Sequence, residues 1–111
     1  MDKLNILWTT DNRETVFNML AMYAANAIRK GWWKNVNVII WGASAVLAAT
    51  DTQVQTEIRE MLDTGVNIEA CKACSDNLGV TDQLTRLGID VRFMGEALTG
   101  YIKSGEKILT V

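Results

Sequence analysis

The run Val36-Asn37-Val38-Ile39-Ile40-Trp41 limits the choice of fold more than any other segment. It is almost continuously apolar toward its end and rich in β-branched residues, which favour extended backbone. Such a strand needs cover on both faces. Helical periodicity flanks it. Residues 13–30 carry an apolar stripe of Val16, Leu20, Ala24, Ala27 and Ile28, and Gly31 stops the helix. Residues 42–50 read as a tight turn entering a short apolar helix. Residues 52–64 place Val54, Ile58, Met61 and Leu62 on one side of another, closed by Gly65. Further strands are expected at 4–8, 66–71, 89–93 and 107–111, with helices at 81–87 and 96–104. Asp11 and Glu14 have the spacing of a capping box ahead of the long helix. Strands separated by helices predict an α/β fold: a three-layer α/β/α sandwich around a five-stranded, mainly parallel sheet with right-handed crossovers. The first two strands are the most apolar and belong at the centre.

The 111 residues suit one domain, 1–111, and 49% of them are apolar. Histidine is absent, which removes every Ser-His-Asp triad, His-based zinc site and Cys-His nucleophile pair from this chain. Proline is absent too, so the cis-proline of thioredoxin-like redox folds has no place here. The net charge is −2 with no basic block, which argues against direct nucleic-acid binding. The apolar runs are too short to cross a bilayer. Met1-Asp2-Lys3-Leu4 lacks the features of a signal peptide, so a cytoplasmic location is expected. No glycine-rich phosphate loop occurs, and no cofactor is called for. Gly42-Ala43-Ser44-Ala45-Val46 lacks the second glycine of a nucleophile elbow, so its expected use is a turn whose amides line a rim.

In open α/β sheets ligands bind at the carboxyl ends of the strands. Here that rim comprises residues 9–12, 42–44, 71–76 and 94–96. It contains both cysteines, Cys71 and Cys74, where an apolar strand gives way to a polar loop. A thiolate is the reactive form of cysteine, and nearby cations or amide groups favour it. Lys72 and Asp76, with Asp11, Asn12, Gly42 and Ser44 from neighbouring loops, are expected to frame the site. Ser75 and Asp76 are expected to cap a short helical turn whose amides face the sulfur. Three alternatives stand beside a reactive Cys71. Both cysteines simply pack; Cys71 and Cys74 form a dithiol redox switch; or the rim is a non-catalytic binding module. Zinc needs two further ligands, so no metal is assigned. Trp32 and Trp33 are adjacent, and read either as an oligomer interface or as partly exposed loop cover. Trp8 and Trp41 are expected in the core or at the rim, and Met19, Met61 and Met94 in packing roles.

The segment Cys71-Lys72-Ala73-Cys74-Ser75-Asp76, followed by Gly79-Val80, resembles the DsrE/DsrF-like family, in its YchN-type form. The opening strand, the long first helix, the run from Val38 to Val46 and the final Lys107-Ile108-Leu109-Thr110-Val111 extend the resemblance over essentially the whole domain. The resemblance implies a parallel α/β/α sandwich that assembles as a homo-oligomer, trimer or hexamer. It also implies sulfur carried as a cysteine persulfide between donor and acceptor proteins, as in tRNA thiolation or sulfur oxidation. The family's acceptor cysteine lies after the third strand, eight residues before a glycine. Cys71 and Gly79 have that spacing, so the role falls on Cys71. Members of the YchN type have no established activity.

Overall fold

The computed structural model describes residues 2–111. Five strands, β1 (Lys3–Trp8), β2 (Asn35–Ile40), β3 (Asn67–Cys71), β4 (Asp90–Arg92) and β5 (Lys107–Thr110), form one sheet in the order β4-β3-β2-β1-β5, and every pairing is parallel. The apolar β2 sits at the centre with β1 beside it. The polar, alternating β4 lies on an edge, where one side of the backbone meets solvent.

The first helix, α1, runs through Arg13–Thr15, Val16–Leu20 and Ala21–Arg29. Its middle section is π-wound, a widening of the coil that periodicity does not reveal. The capping box expected from Asp11 is displaced by one residue. Asn12 has the extended backbone of a cap and its side chain accepts the Thr15 N–H at 2.9 Å, while Asp11 is simply exposed. Helices α2 (Ala43–Thr50) and α3 (Thr52–Thr64) are separated by Asp51 alone. Asp51 caps α3 by accepting the N–H groups of Gln53 and Val54, and it pairs with Arg13. The Val54 N–H, then Arg13, hold its carboxyl below the usual range. Three further helices complete the chain: α4 (Lys72–Leu78), α5 (Thr81–Arg86) and α6 (Gly95–Lys103). No helix among the described residues is long and apolar enough to cross a membrane.

Parity along the strands divides the sheet into two unlike faces. One face presents Leu4, Ile6 and Trp8 from β1, Val36, Val38 and Ile40 from β2, and Ile68 and Ala70 from β3. These pack with Val16, Leu20 and Ala24 of α1, Ala45 and Ala48 of α2, Val54, Ile58 and Met61 of α3 and Leu84 of α5 into the main core. Met61 and Met94 are buried as expected of packing residues, whereas Met19 stays 36% exposed. Trp8 is fully buried, its indole N–H donating to the Thr10 carbonyl at 2.9 Å. The opposite face has a smaller cluster of Ile39, Cys71 and Met94, flanked by Leu7, Trp41, and Ala97, Leu98 and Tyr101 of α6.

Below that cluster the second face is polar yet buried. Asn5, Asn37 and Glu69 are at most 3% exposed. The register places Asn5 beside Asn37 and Asn37 beside Asn67. The Asn37 amide donates to Asn5 Oδ1 at 3.1 Å and to Glu69 Oε1 at 2.7 Å, and its own oxygen accepts from Asn67. Glu69 also accepts from the Tyr101 hydroxyl at 2.8 Å, and from two guanidinium N–H groups of Arg92. A buried carboxylate is tolerable only with such a full set of donors. No buried side-chain nitrogen or oxygen among the described residues lacks a partner. Burial, then the hydrogen bond to Glu69, raises the Tyr101 pKa above 10.0; Glu69 raises that of Arg92.

Candidate functional site

Strand β3 passes into α4 with no intervening loop. Cys71 ends the strand and is itself the helix cap residue, with extended backbone at φ −74° and ψ 113°. The expected capping by Ser75 and Asp76 therefore does not occur, because both already lie inside the helix. Ser75 is buried, its hydroxyl 3.1 Å from the Lys72 carbonyl and 2.7 Å from the Thr81 hydroxyl. Gly79 closes α4 at φ 71°, in the left-handed region that glycine adopts without strain.

Both cysteines are free thiols. Parity turns Cys71 toward Ile39 and Met94, and only 4% of it is exposed. Cys74, one helical turn on, is half-buried and packs against that cluster as well as the main core. The Gly42 N–H donates to Cys74 Sγ at 3.2 Å, and the Gly42 carbonyl lies 3.8 Å from the same sulfur. Gly42 has φ 76°, a conformation that an L side chain would strain. Cys71 and Cys74 both belong to the lining of one depression of about 590 Å³, with Trp41, Ala43, Val46, Asn77 and Leu78 among others. Apart from the cysteines and the Trp41 indole, Asn77 is its polar side chain, and no charged residue among the described residues lines it. Val46 and Leu78 form an exposed apolar lip, 40% and 45% accessible.

The rim residues expected from sequence therefore divide. Gly42 joins Cys71 and Cys74 at the depression. Ser44 is fully buried and structural: its hydroxyl donates to the Trp8 carbonyl at 2.6 Å and accepts the Trp41 N–H at 3.1 Å, tying the ends of β1 and β2 together. Lys72 and Asp76 turn to a neighbouring depression shared with Thr81 and Asp82, not to the thiols. The Lys72 ammonium bonds Asp76 at 2.6 Å and lies 5.4 Å from the Phe93 ring. It is the main cause that holds the Asp76 carboxyl below its ordinary range. Asn12 is occupied as a helix cap, and Asp11 is exposed away from the lining residues. Met94, from the fourth rim segment, is buried against Cys71. Trp41 lines the depression as the rim reading allowed, while Val46, Asn77 and Leu78 are lining residues that sequence reasoning missed. The α4 periodicity offered one signal, since Cys74 and Leu78 share a face four residues apart.

A model of the DsrE/DsrF-like family matches residues 6–111. The solved structure of BT1422, a conserved protein of unknown function from Bacteroides thetaiotaomicron, is 64% identical and superimposes with a TM-score of 0.98 over 99% of this chain and 95% of that one. The ychN protein of E. coli is 19% identical with a TM-score of 0.71, and covers all of both chains. A protein of unknown function, MTH1491 from Methanobacterium thermoautotrophicum, is 16% identical with a TM-score of 0.81, again over both full chains. These last two show the shared fold alone. No curated protein matches the chain.

Proposed function

We propose that this chain, which belongs to the DsrE/DsrF-like family, is a sulfur carrier that holds a persulfide on Cys71 and passes it between protein partners. The observation that carries the reading is a free cysteine at the carboxyl end of β3, beside the central strand, in the lining of an apolar depression without charged lining residues. The Cys71 thiolate attacks the outer sulfur of a donor's cysteine persulfide. The donor S–S bond breaks, the donor cysteine leaves as thiolate, and a new S–S bond forms on Cys71. The acceptor step reverses this, so no net oxidation takes place and neither histidine nor metal is needed.

Cys71 is 4% exposed, so the donor's persulfide has to enter the depression to meet it. A bound sulfane sulfur extends the side chain by about 2.05 Å, the length of an S–S bond. That extension moves the transferable atom beyond Cys71 Sγ. The reading includes a homo-oligomer, trimer or hexamer, and exposed Trp32, Phe93 and Ile102 provide apolar surface for such assembly. It places the protein in the cytoplasm, with a sulfur donor and a sulfur acceptor protein as partners.

The test is intact-protein mass after incubation with a cysteine desulfurase and cysteine, alongside Cys71→Ser and Cys74→Ser. A gain of one sulfur that reductant removes, present in the Cys74→Ser chain and absent from Cys71→Ser, is the expected result. Sulfur loading that survives Cys71→Ser overturns the assignment.

A further inference from the structure

We infer that Cys74 is a resolving thiol, which discharges the Cys71 persulfide as hydrosulfide when no protein acceptor takes the sulfur. This deepens the carrier reading and rests on it. Three independent features meet at Cys74. It stands one helical turn from Cys71 and packs against the same cluster of Ile39, Cys71 and Met94. Both thiols line the same depression, with Cys74 the more accessible. Its sulfur receives the Gly42 N–H at 3.2 Å, a donor supplied by a different loop and held in place by the left-handed backbone at Gly42. Gly42 thus holds the Cys74 sulfur from both sides, its N–H donating to the sulfur and its carbonyl lying 3.8 Å away as an acceptor for the thiol.

The step balances without any outside oxidant. The Cys74 thiolate attacks Sγ of the Cys71 persulfide. The bond between Cys71 Sγ and the carried sulfur breaks, and a bond between Cys71 Sγ and Cys74 Sγ forms. Hydrosulfide departs with the electron pair. The two cysteines are oxidised to a disulfide and the carried sulfur is reduced to sulfide. A dithiol reductant then restores both thiols. The reach is small. Side chains three residues apart on a helical turn have Cβ atoms about 5–6 Å apart, against about 3.5–4.5 Å in a disulfide. Cys71 is held at the end of β3, paired with Arg92, so closing that gap falls to the two side-chain rotamers and the first turn of α4.

The inference gives the depression a second property. An acceptor seated against Trp41, Val46 and Leu78 covers Cys74 and receives the sulfur. An empty depression leaves Cys74 free to attack, so sulfur is released and not stored.

The experiment loads the 111-residue chain with desulfurase and cysteine, removes both, and follows intact mass and free hydrosulfide together. In the parent chain the added sulfur should give way to a loss of two hydrogens, with one hydrosulfide released per loaded chain. In Cys74→Ser and Cys74→Ala the added sulfur should persist, with release about a hundredfold slower, as when an intramolecular nucleophile is removed. Equal persistence in parent and variants overturns the inference and leaves the carrier reading intact. So does migration of the sulfur without hydrosulfide. If no chain accepts sulfur, the carrier reading itself fails and this inference falls with it.

Discussion

Replacing Arg92 by Met should destabilise the protein far more than its half-exposed position suggests. The change removes the cation from Glu69, a carboxylate that is 2% exposed, and leaves it the Asn37 amide and the Tyr101 hydroxyl as neutral donors. Stranding a buried charge by removing its partner costs about 3–5 kcal/mol. The Arg92 side chain is 44% exposed, so solvent already screens part of the pair. Two neutral donors also remain. The expected loss is therefore about 2 kcal/mol, or roughly 8 °C in thermal midpoint for a chain of this size. Urea unfolding at pH 7, at one fixed protein concentration and followed by tryptophan fluorescence, reads it directly. Glu69→Gln supplies the control, since it removes the charge and keeps an oxygen for Asn37 and Tyr101. In that background Arg92→Met should cost at least about 1 kcal/mol less than it does in the parent. Losses that add to within about 0.3–0.5 kcal/mol, or an Arg92→Met cost no larger than that, would refute the claim that the guanidinium compensates a buried charge.

The remaining predictions concern titration and capping. The raised pKa of Tyr101 contributes stability that is present below pH 10 and lost as pH climbs through the folded value. Phenolate absorbance should therefore show an ionisation above pH 10 that Tyr101→Phe removes, and the parent should lose stability more steeply than the variant in that alkaline window. Asp51 is shifted the other way, so its contribution is present above the usual carboxylate range near pH 4 and lost as pH falls through the lowered folded value. Asp51→Ala should lower the thermal midpoint at pH 7, and the gap from the parent should narrow below pH 4. Gly42→Ala should disturb Cys74 selectively, because a Cβ there meets no atom within 4 Å but the backbone needs φ 76°. Peptide mapping after limited alkylation should show a changed rate at Cys74 with circular dichroism unaltered.

The sandwich was legible in the sequence because burial leaves a regular trace. Apolar runs at 36–41 and 4–8 mark strands covered on both sides, and the stripes in 13–30 and 52–64 mark helices covered on one. Glycines 31 and 65 mark helix stops, and both have left-handed backbone in the structure. The prominence of Cys71 and Cys74 was equally legible, since they are the chain's two cysteines and lie at a strand end. The sorting of their neighbours was not. Lys72 and Asp76 adjoin the thiols in sequence, but a helix that begins at once after β3 turns them toward each other and a separate depression. The Asn5-Asn37-Glu69-Arg92 network was hidden for a related reason: its members belong to four strands, and no local pattern records their register. Local sequence thus determined the elements, their order and the placing of the two thiols at a strand end, because periodicity and backbone preference act within a few residues. Only the tertiary structure decided which side chains meet across strands and loops. Those meetings put the Gly42 amide on the Cys74 sulfur and a full shell of donors on the Glu69 carboxylate.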